Sequence, residues 1–299
     1  MADPLAEVIA LLRPQAVFSK RISGAGRWGV RYSAFGHPSF CVVLDGGCRL
    51  AVDGHVTLTL AAGDFILLPD TPGFTMSGFE PVTPERIDPR ASQSRGEVRH
   101  GRRGGRPDVR LLGGYFMFDS PDRSLLVSLL PSVVHVRGLP RLEVLVRLVS
   151  EEASERRPAR DLVLSRLVEV LLIEALRSST PDEDTPPGLL RGLADPRLAA
   201  AMRQMHGQLA RSWTVAQLAK VAALSRSAFF ERFTRTVGVP PMEYLLAWRM
   251  AVAKDLLRRE DLGVTEVAER VGYGSASTFS TAFSRHVGQA PSRYARAAH

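Results

Sequence analysis

Serines at 225 and 275 are each followed by phenylalanines four and eight residues on, then by an arginine, a glycine, a proline and a tyrosine at matching offsets. Superposing "SRSAFFERFTRTVGVPPMEY" (225–244) on "SASTFSTAFSRHVGQAPSRY" (275–294) gives nine identities in 20 positions. Unrelated segments would share about one or two, so the two stretches are one structural unit used twice. The residue types suit non-covalent chemistry on a polyanion. A serine at a helix start accepts from the free N–H groups of the first turn. Phenylalanines at i and i+4 bury one face and leave the opposite face free. That free face carries small hydroxyl side chains beside the positive end of the helix dipole, and it suits phosphates and base edges.

The elements that must position this face are legible around it. "TVAQLAKVAALS" (214–225) and "VTEVAERVGYGS" (264–275) share V-x-x-[LV]-A and read as short amphipathic helices ending in tight turns. Gly238 and Gly288 end the second helices, and Pro241 and Pro291 prevent their continuation. Helix, turn and capped helix make a helix-turn-helix. Between the units, "YLLAWRMAVAKDLL" from Tyr244 to Leu257 reads as one continuous helix. It would hold two reading heads for successive major grooves, about 34 Å apart. Charge agrees: from Asp195 onward there are 15 Lys/Arg against 8 Asp/Glu, whereas residues 1–194 hold 24 against 23. A basic end on a neutral remainder indicates a polyanionic partner, and double-stranded DNA fits the helices. A ligand-free helical bundle would explain neither the repeat nor its small polar faces.

The rest of the 299 residues suffices for a second domain. "SFCVVLDGGCRLAVDGHVTLTLAAGDFILLPDTPGFTM" contains short β-branched runs separated by Asp45-Gly46-Gly47, Asp53-Gly54 and Ala62-Gly63-Asp64, the spacing of a β-sandwich or barrel. Residues 80–110 lack apolar periodicity and carry seven arginines between Arg90 and Arg110, which predicts a mobile basic loop. "LLGGYFMF" reads as a returning strand. From about Leu125 the pattern turns helical, and a segment containing Leu164, Leu167, Val168, Val170, Leu171, Leu172 and Leu176 needs cover from its own domain or from a second subunit. "SSTPDEDTPPG" reads as an interdomain linker. The expected organisation is a sensor and dimerisation domain over 1–180, a linker over 181–194 and a DNA-binding domain over 195–299.

Cys41 and Cys48 are the chain's two cysteines, and they form neither a disulfide framework nor a zinc signature. They flank the Asp45-Gly46-Gly47 turn, where a three-residue loop would pair Leu44 with Cys48 and leave Cys41 offset. A direct disulfide then needs rearrangement. The pair stands as a candidate redox sensor, with buried unreactive thiols as the other reading. No run approaches the ~18 apolar residues of a membrane span, and the acidic N-terminus is unlike a signal peptide. A cytoplasmic location is expected.

Residues 195–295 resemble the AraC/XylS family of bacterial transcription regulators, through "GY-x-S-x-S-x-F-x-x-x-F" and the terminal "G-x-x-P-x-x-Y". Residues 15–190 resemble the cupin sensor domain of a subset of that family, through "VLDGGCRLAV", "LAAGDFILLP" and "GGYFMFD". The resemblance implies an α+β chain: an N-terminal cupin-like β-barrel with a helical dimerisation segment, then an all-α domain with two helix-turn-helix units. It implies a sequence-specific regulator, activator or repressor, of promoter DNA. Its partners would be RNA polymerase, a small-molecule or redox effector, and a second copy of the chain. Carried over to this sequence, the base-reading positions are Ser227, Phe230 and Glu231 in the first unit and Ala276, Ser277, Thr278 and Thr281 in the second. Arg226, Arg249 and Arg285 are the phosphate candidates. Relatives often place Arg where Glu231 stands. Glu231 would accept from cytosine N4 or pair with a neighbouring arginine, and the pair is favoured because phosphates repel a carboxylate. The second unit, with only small side chains, would read thymine methyls and groove shape.

A metal-dependent cupin enzyme with an attached DNA-binding domain is the rival. The cupin metal pattern would place His near Cys41 and after "LLPDTP", where this chain has Cys41 itself and Phe74. His37 and His55 lie nearby, but there is no H-x-H. No metal, no cofactor and no catalysis are expected.

Overall fold

The structure is a computed structural model and describes residues 3–88, 97–120, 127, 130–154, 157–178, 187–259 and 262–296. The chain divides into two compact units. One comprises Pro14–Phe118 and Ser132–Ser179; the other comprises Met1–Arg13, Asp119–Pro131 and Thr180–His299.

The first unit is a curled β-sheet backed by two helices. Its strands are β1 (Pro14–Ala25), β2 (Gly29–Tyr32), β3 (Ser39–Val52), β4 (Leu58–Ala61), β5 (Phe65–Leu68), β6 (Phe74–Ser77), β7 (Glu85–Ile87), β8 (Val98–Gly101), β9 (Val109–Phe118) and β10 (Val134–Val136). The main path runs β7-β2-β6-β3-β9-β1-β8. The long strand β3 belongs to both walls: Ser39–Val42 pair with β5, Ser39–Gly46 with β9, and Gly47–Leu50 and Arg49–Val52 with β4 and β6. Asp45-Gly46-Gly47 is therefore a bulge inside one strand and not the hairpin expected from the sequence. The register against β9 shifts between Val43 and Asp45. Gly46 has φ 71°, and a methyl group there would collide with the Asp108 carbonyl. Only glycine fits such a kink, and the kink turns the strand from one wall into the other.

Within the curl lie Ile22, Val30, Tyr32, Val43, Leu50, Val52, Leu60, Ile66, Met76 and Leu111, all buried. The predicted basic loop is partly strand, since β7 and β8 fall inside it; residues 89–96, with Arg90 and Arg95, lie outside the described residues. Helices α2 (Pro140–Ser154) and α3 (Arg160–Ser178) pack on each other, and α3 packs against β1 and β10. Leu164, Val168, Leu171, Leu172 and Leu176 are thereby buried, while Leu162, Val163 and Val170 stay exposed, as do Val144 and Leu148 on α2. The unit covers one side of its apolar helix pair and leaves the other side open.

The second unit is helical: α1 (Pro4–Leu12), α4 (Leu189–Ala194), α5 (Pro196–Gly207), α6 (Val215–Val221), α7 (Arg226–Val237), α8 (Pro241–Arg259), α9 (Val264–Arg270), α10 (Ala276–Val287) and α11 (Pro291–Arg296). Two stretches differ from the expected boundaries. Residues 189–194, read as linker, form α4, which packs on α5 and α7; residues 181–186 lie outside the described residues. Helix α1, read as part of the sensor, packs on α5 and α8. It is fastened there by Glu7 Oε2 at 2.8 Å from His206 Nδ1 and by an Arg13–Asp255 ion pair of 2.9 Å. His206 also stacks on Trp248, 4.3 Å between ring centres, and its Nε2 is 2.8 Å from the Tyr244 hydroxyl. A polar chain threads an apolar core in this way because every member has a partner.

The β4–β5 turn is tied to β10 by a buried carboxylate. Asp64 accepts from the Ala61 N–H (2.9 Å) and from Arg137 Nη2 (2.7 Å), and it lies 3.1 Å from His135 Nε2. Burial alone raises its pKa, but the bonds from Arg137, Ala61 and His135 outweigh burial and hold it below the usual carboxylate range. A depressed carboxylate stabilises the fold above its unfolded pKa of about 3.9, and that stability is lost as pH falls through the folded value. Asp64→Asn should therefore lower unfolding stability at pH 7 by about 1–3 kcal/mol. The gap to the parent should close in acid. Denaturant titrations from pH 7 to pH 3 check this, and a pH-independent gap would contradict it.

Candidate nucleic-acid interface

Helices α7 and α10 are built alike. Ser225 Oγ accepts from the Ala228 N–H and Ser275 Oγ from the Thr278 N–H, each at 3.2 Å, so both N-terminal caps form as the sequence predicts. Gly238 (φ 92°) and Gly288 (φ 82°) close the C-termini in the left-handed region. Phe229 and Phe233 meet at 5.6 Å, and Phe279 and Phe283 at 5.5 Å. Each pair continues edge-on into a tyrosine: Phe233 to Tyr244 at 5.7 Å, Phe283 to Tyr294 at 5.5 Å. All four phenylalanines are fully buried. The two units differ by one residue in the turn. Leu224 N–H bonds to the Ala219 carbonyl and Tyr273 N–H to the Ala268 carbonyl, 49 residues on, while the capping serines are 50 apart. Gly274 is the added residue, so the second turn is longer.

With the phenylalanines inside, the opposite faces are open. Arg226, Ser227, Phe230 and Glu231 are exposed on α7, and Ser277, Thr278, Thr281 and Arg285 on α10; Ala276 is half-buried. On α10, Ser277, Ser280, Thr281, Ser284 and Arg285 line one shallow open groove. Ser280 and Ser284 were missed as site residues, although helical spacing from Ser277 (i+3, i+7) finds them. Arg235, exposed on α7 at the position of Arg285, is found the same way by the repeat. The small side chains are already oriented. Thr278 Oγ1 lies 2.9 Å from Ser275 Oγ, Thr281 Oγ1 donates to the Ser277 carbonyl at 3.1 Å, and Ser227 Oγ lies 3.3 Å from Ser225 Oγ. A helix surface of this shape, with arginines at its edges, is fitted to a groove and its phosphates.

Two expectations are corrected. Glu231 forms no ion pair among the described residues; its neighbour Arg232 is held by Asp195 at 2.5 Å, where Asp195 also caps α5. The carboxylate is therefore left facing outward. Arg249 is a clamp. Its guanidinium donates to the Leu209 carbonyl (2.8 and 3.1 Å) and to the Arg211 carbonyl (2.7 Å), and it sits 5.9 Å from the centre of the Tyr273 ring. Gly272 admits this clamp: it has φ 83°, and a methyl group there would come within 2.7 Å of Arg249 Nη2. Arg249 thus joins α8 to the segment before the first helix-turn-helix and to the turn of the second. It is half-buried, and burial lowers its pKa.

The first unit holds a separate cavity of about 90 Å³, lined in part by Lys20, Tyr32, Phe35, Cys41, Phe74 and Tyr115. Cys41 and Cys48 are both buried on β3. Burial pushes Cys48 up to about 12 and Cys41 well above the ordinary thiol range. A thiol reacts as thiolate, so neither cysteine is placed to sense an oxidant in this state. His37 packs against Phe35 and Tyr115, with ring centres at 4.9 and 5.9 Å. His55 follows the β3 end, its N–H bonded to the Val52 carbonyl. Among the described residues, no three His, Cys, Asp or Glu side chains converge as metal ligands would.

Comparison with known proteins fits this geometry. Residues 3–180 match a family described as Cupin, and residues 218–297 one described as Helix-turn-helix domain. The chain is 38% identical over 300 residues to an AraC-like transcription regulator of Streptomyces lividans, covering 98% of this chain and 97% of that protein. It is also 38% identical over 298 residues to one of Streptomyces antibioticus, covering 98% of each. Among solved structures it is 32% identical to the DNA-binding domain of AdpA in complex with a target DNA, covering 33% of this chain and 89% of that one, with a TM-score of 0.32.

The two arginines separate by a salt titration of DNA affinity. Arg285→Met should reduce the slope of log affinity against log salt by about 1. Arg249→Met should instead lower the melting temperature and leave that slope unchanged. The reverse pattern would return Arg249 to the phosphates.

Proposed function

Because the chain belongs to the family of AraC-like transcription regulators, we propose that α7 and α10 both enter the major groove of promoter DNA, as two unequal reading heads. The observation that carries this reading is the pair of capped helices with buried phenylalanines and open polar faces in a region of net positive charge. The chain is a DNA-binding transcription regulator, not an enzyme. In the first head, Phe230 offers an apolar contact to a thymine methyl, Glu231 accepts from a cytosine amino group, and Ser227 hydrogen-bonds a neighbouring edge. In the second, Ala276, Ser277, Thr278 and Thr281 fit closely against the groove and read its shape and methyl groups. Arg226, Arg235 and Arg285 contact phosphates.

Three further parts of the reading rest on the first unit and on the regulator's task. The exposed apolar residues Val144 and Leu148 on α2 and Leu162, Val163 and Val170 on α3 form a face for a second copy of the chain. The barrel cavity takes a small-molecule effector. Regulation of a promoter brings the protein to RNA polymerase, in the cytoplasm; no described helix is long and apolar enough to cross a membrane.

Sequence selection from random DNA with the full chain supplies the site, and affinity for it is then measured for two variants. Ser277→Glu should weaken binding at least tenfold with an unchanged melting temperature, because it sets a carboxylate against phosphates. Glu231→Gln should keep most of the affinity and relax the preference at one base pair. Failure of the parent to bind any selected DNA at low salt would overturn the reading, and normal binding by Ser277→Glu would take the second head off the DNA.

A further inference from the structure

Positive charge in the first unit is concentrated on one loop. Residues 98–110 carry five arginines against one carboxylate, Asp108, whereas the rest of residues 1–194 hold 19 Lys/Arg against 22 Asp/Glu. The segment runs from β8 to β9, and β8 ends the main strand path, so the loop stands at the sheet's edge. Arg99 gives the loop its shape. Its guanidinium is wrapped by the loop's own backbone: Nε donates to the Arg102 carbonyl at 2.9 Å, and Nη2 to the Gly104 and Gly105 carbonyls at 3.1 and 2.7 Å. Both ends are pinned to β1. The Arg102 N–H donates to the Ala25 carbonyl (2.9 Å) and the Asp108 N–H to the Gly24 carbonyl (2.8 Å). Asp108 Oδ2 accepts from the Gly26 N–H at 2.6 Å, so the loop's one carboxylate is engaged in holding it. Asp45 is shared by Arg110 at 2.9 Å and Arg106 at 3.5 Å, and the Arg106 side chain remains 83% exposed. Arg102 and Arg103 are exposed and have no carboxylate partner among the described residues.

We propose that Arg102, Arg103 and Arg106 contact the phosphate backbone of DNA flanking the site read by α7 and α10. The proposal rests on the reading of the chain as a two-headed DNA binder and adds a third contact, made by the sensor barrel. Guanidinium groups match phosphate oxygens in geometry and charge. The loop's backbone is already ordered, so little freedom is lost on binding. Residues 101–108 are glycine, arginine, proline and aspartate only. The loop therefore lacks the aromatic and aliphatic anchors that centre a protein interface, and it suits a repeating polyanion instead. DNA held by helices of the same chain stands at high effective concentration, so weak phosphate contacts suffice. Phosphates recur along every sequence, and the contact adds affinity without base preference.

Salt titrations of the full-length protein on a duplex of about 60 base pairs, with the selected site at its centre, test the proposal. Each phosphate contact contributes about 0.9 to the slope of log affinity against log salt. Arg102→Gln/Arg103→Gln/Arg106→Gln should therefore lower that slope by about 2–3, with the melting temperature and the preferred base sequence unchanged. Arg102→Lys/Arg103→Lys/Arg106→Lys should keep the parent's slope. Position is read by cleavage from an iron chelate attached to Arg103→Cys; Cys41 and Cys48 are buried, so the chelate attaches at one place. Cuts should fall outside the two segments covered by α7 and α10. An unchanged slope in the glutamine variant, a lowered slope in the lysine variant, or no cuts outside those segments would each overturn the proposal. A loop that serves an acidic protein instead would give the unchanged slope and no cuts. Parent binding with an unaltered glutamine variant discards the loop contact alone. Failure of the parent to select any DNA overturns the two-headed reading and the loop contact with it.

Discussion

Phe229 and Phe233 in α7, and Phe279 and Phe283 in α10, are fully buried, and their burial decides which residues the two helices leave on their open faces. Each fully buried aromatic side chain contributes about 1.5–3 kcal/mol from removed apolar surface. Rotating either helix to another face would forfeit that gain twice. The serine caps and glycine ends fix the length of each helix, and the Phe–Tyr edge contacts fix its roll. The outer face is left over from this packing and is free to vary. That is why the two units keep the same phenylalanines, glycines and tyrosines, and differ at Phe230 and Glu231 against Ser280 and Thr281.

Helix α8 sets the distance between the heads, and Arg249 holds its junction with the second one. By donating to two carbonyls between α5 and α6 and lying against Tyr273, it ties the first head's approach segment to the second head's turn. In the other unit, β3 plays the connecting role. Its bulge at Gly46 lets one strand serve both walls.

Legibility from sequence followed the range of the interactions. The doubled helix-turn-helix was readable because caps, i/i+4 aromatics and C-terminal glycines are local and repeat at fixed spacing. The β-rich first third was readable from β-branched runs and turn residues, but the role of Asp45-Gly46-Gly47 was not. A bulge and a hairpin use the same residues, and only the pairing with β9 and β4 distinguishes them. The strands β7 and β8 were hidden by their polar composition. Arg249 looked like a phosphate ligand because it is basic and lies between the heads; its partners are backbone carbonyls some forty residues away, which leave no trace in side-chain types. Glu231 was expected to pair, but Asp195, distant in sequence, takes the adjacent arginine.

The central claim is that one chain places two helices in successive major grooves. Hydroxyl-radical footprinting of the full-length protein on its selected site tests it most directly. Two protected segments on one face of the duplex, centred about 10 base pairs apart for each bound chain, are the predicted result. A single protected segment for each bound chain, with no second one a helical turn away, would contradict it.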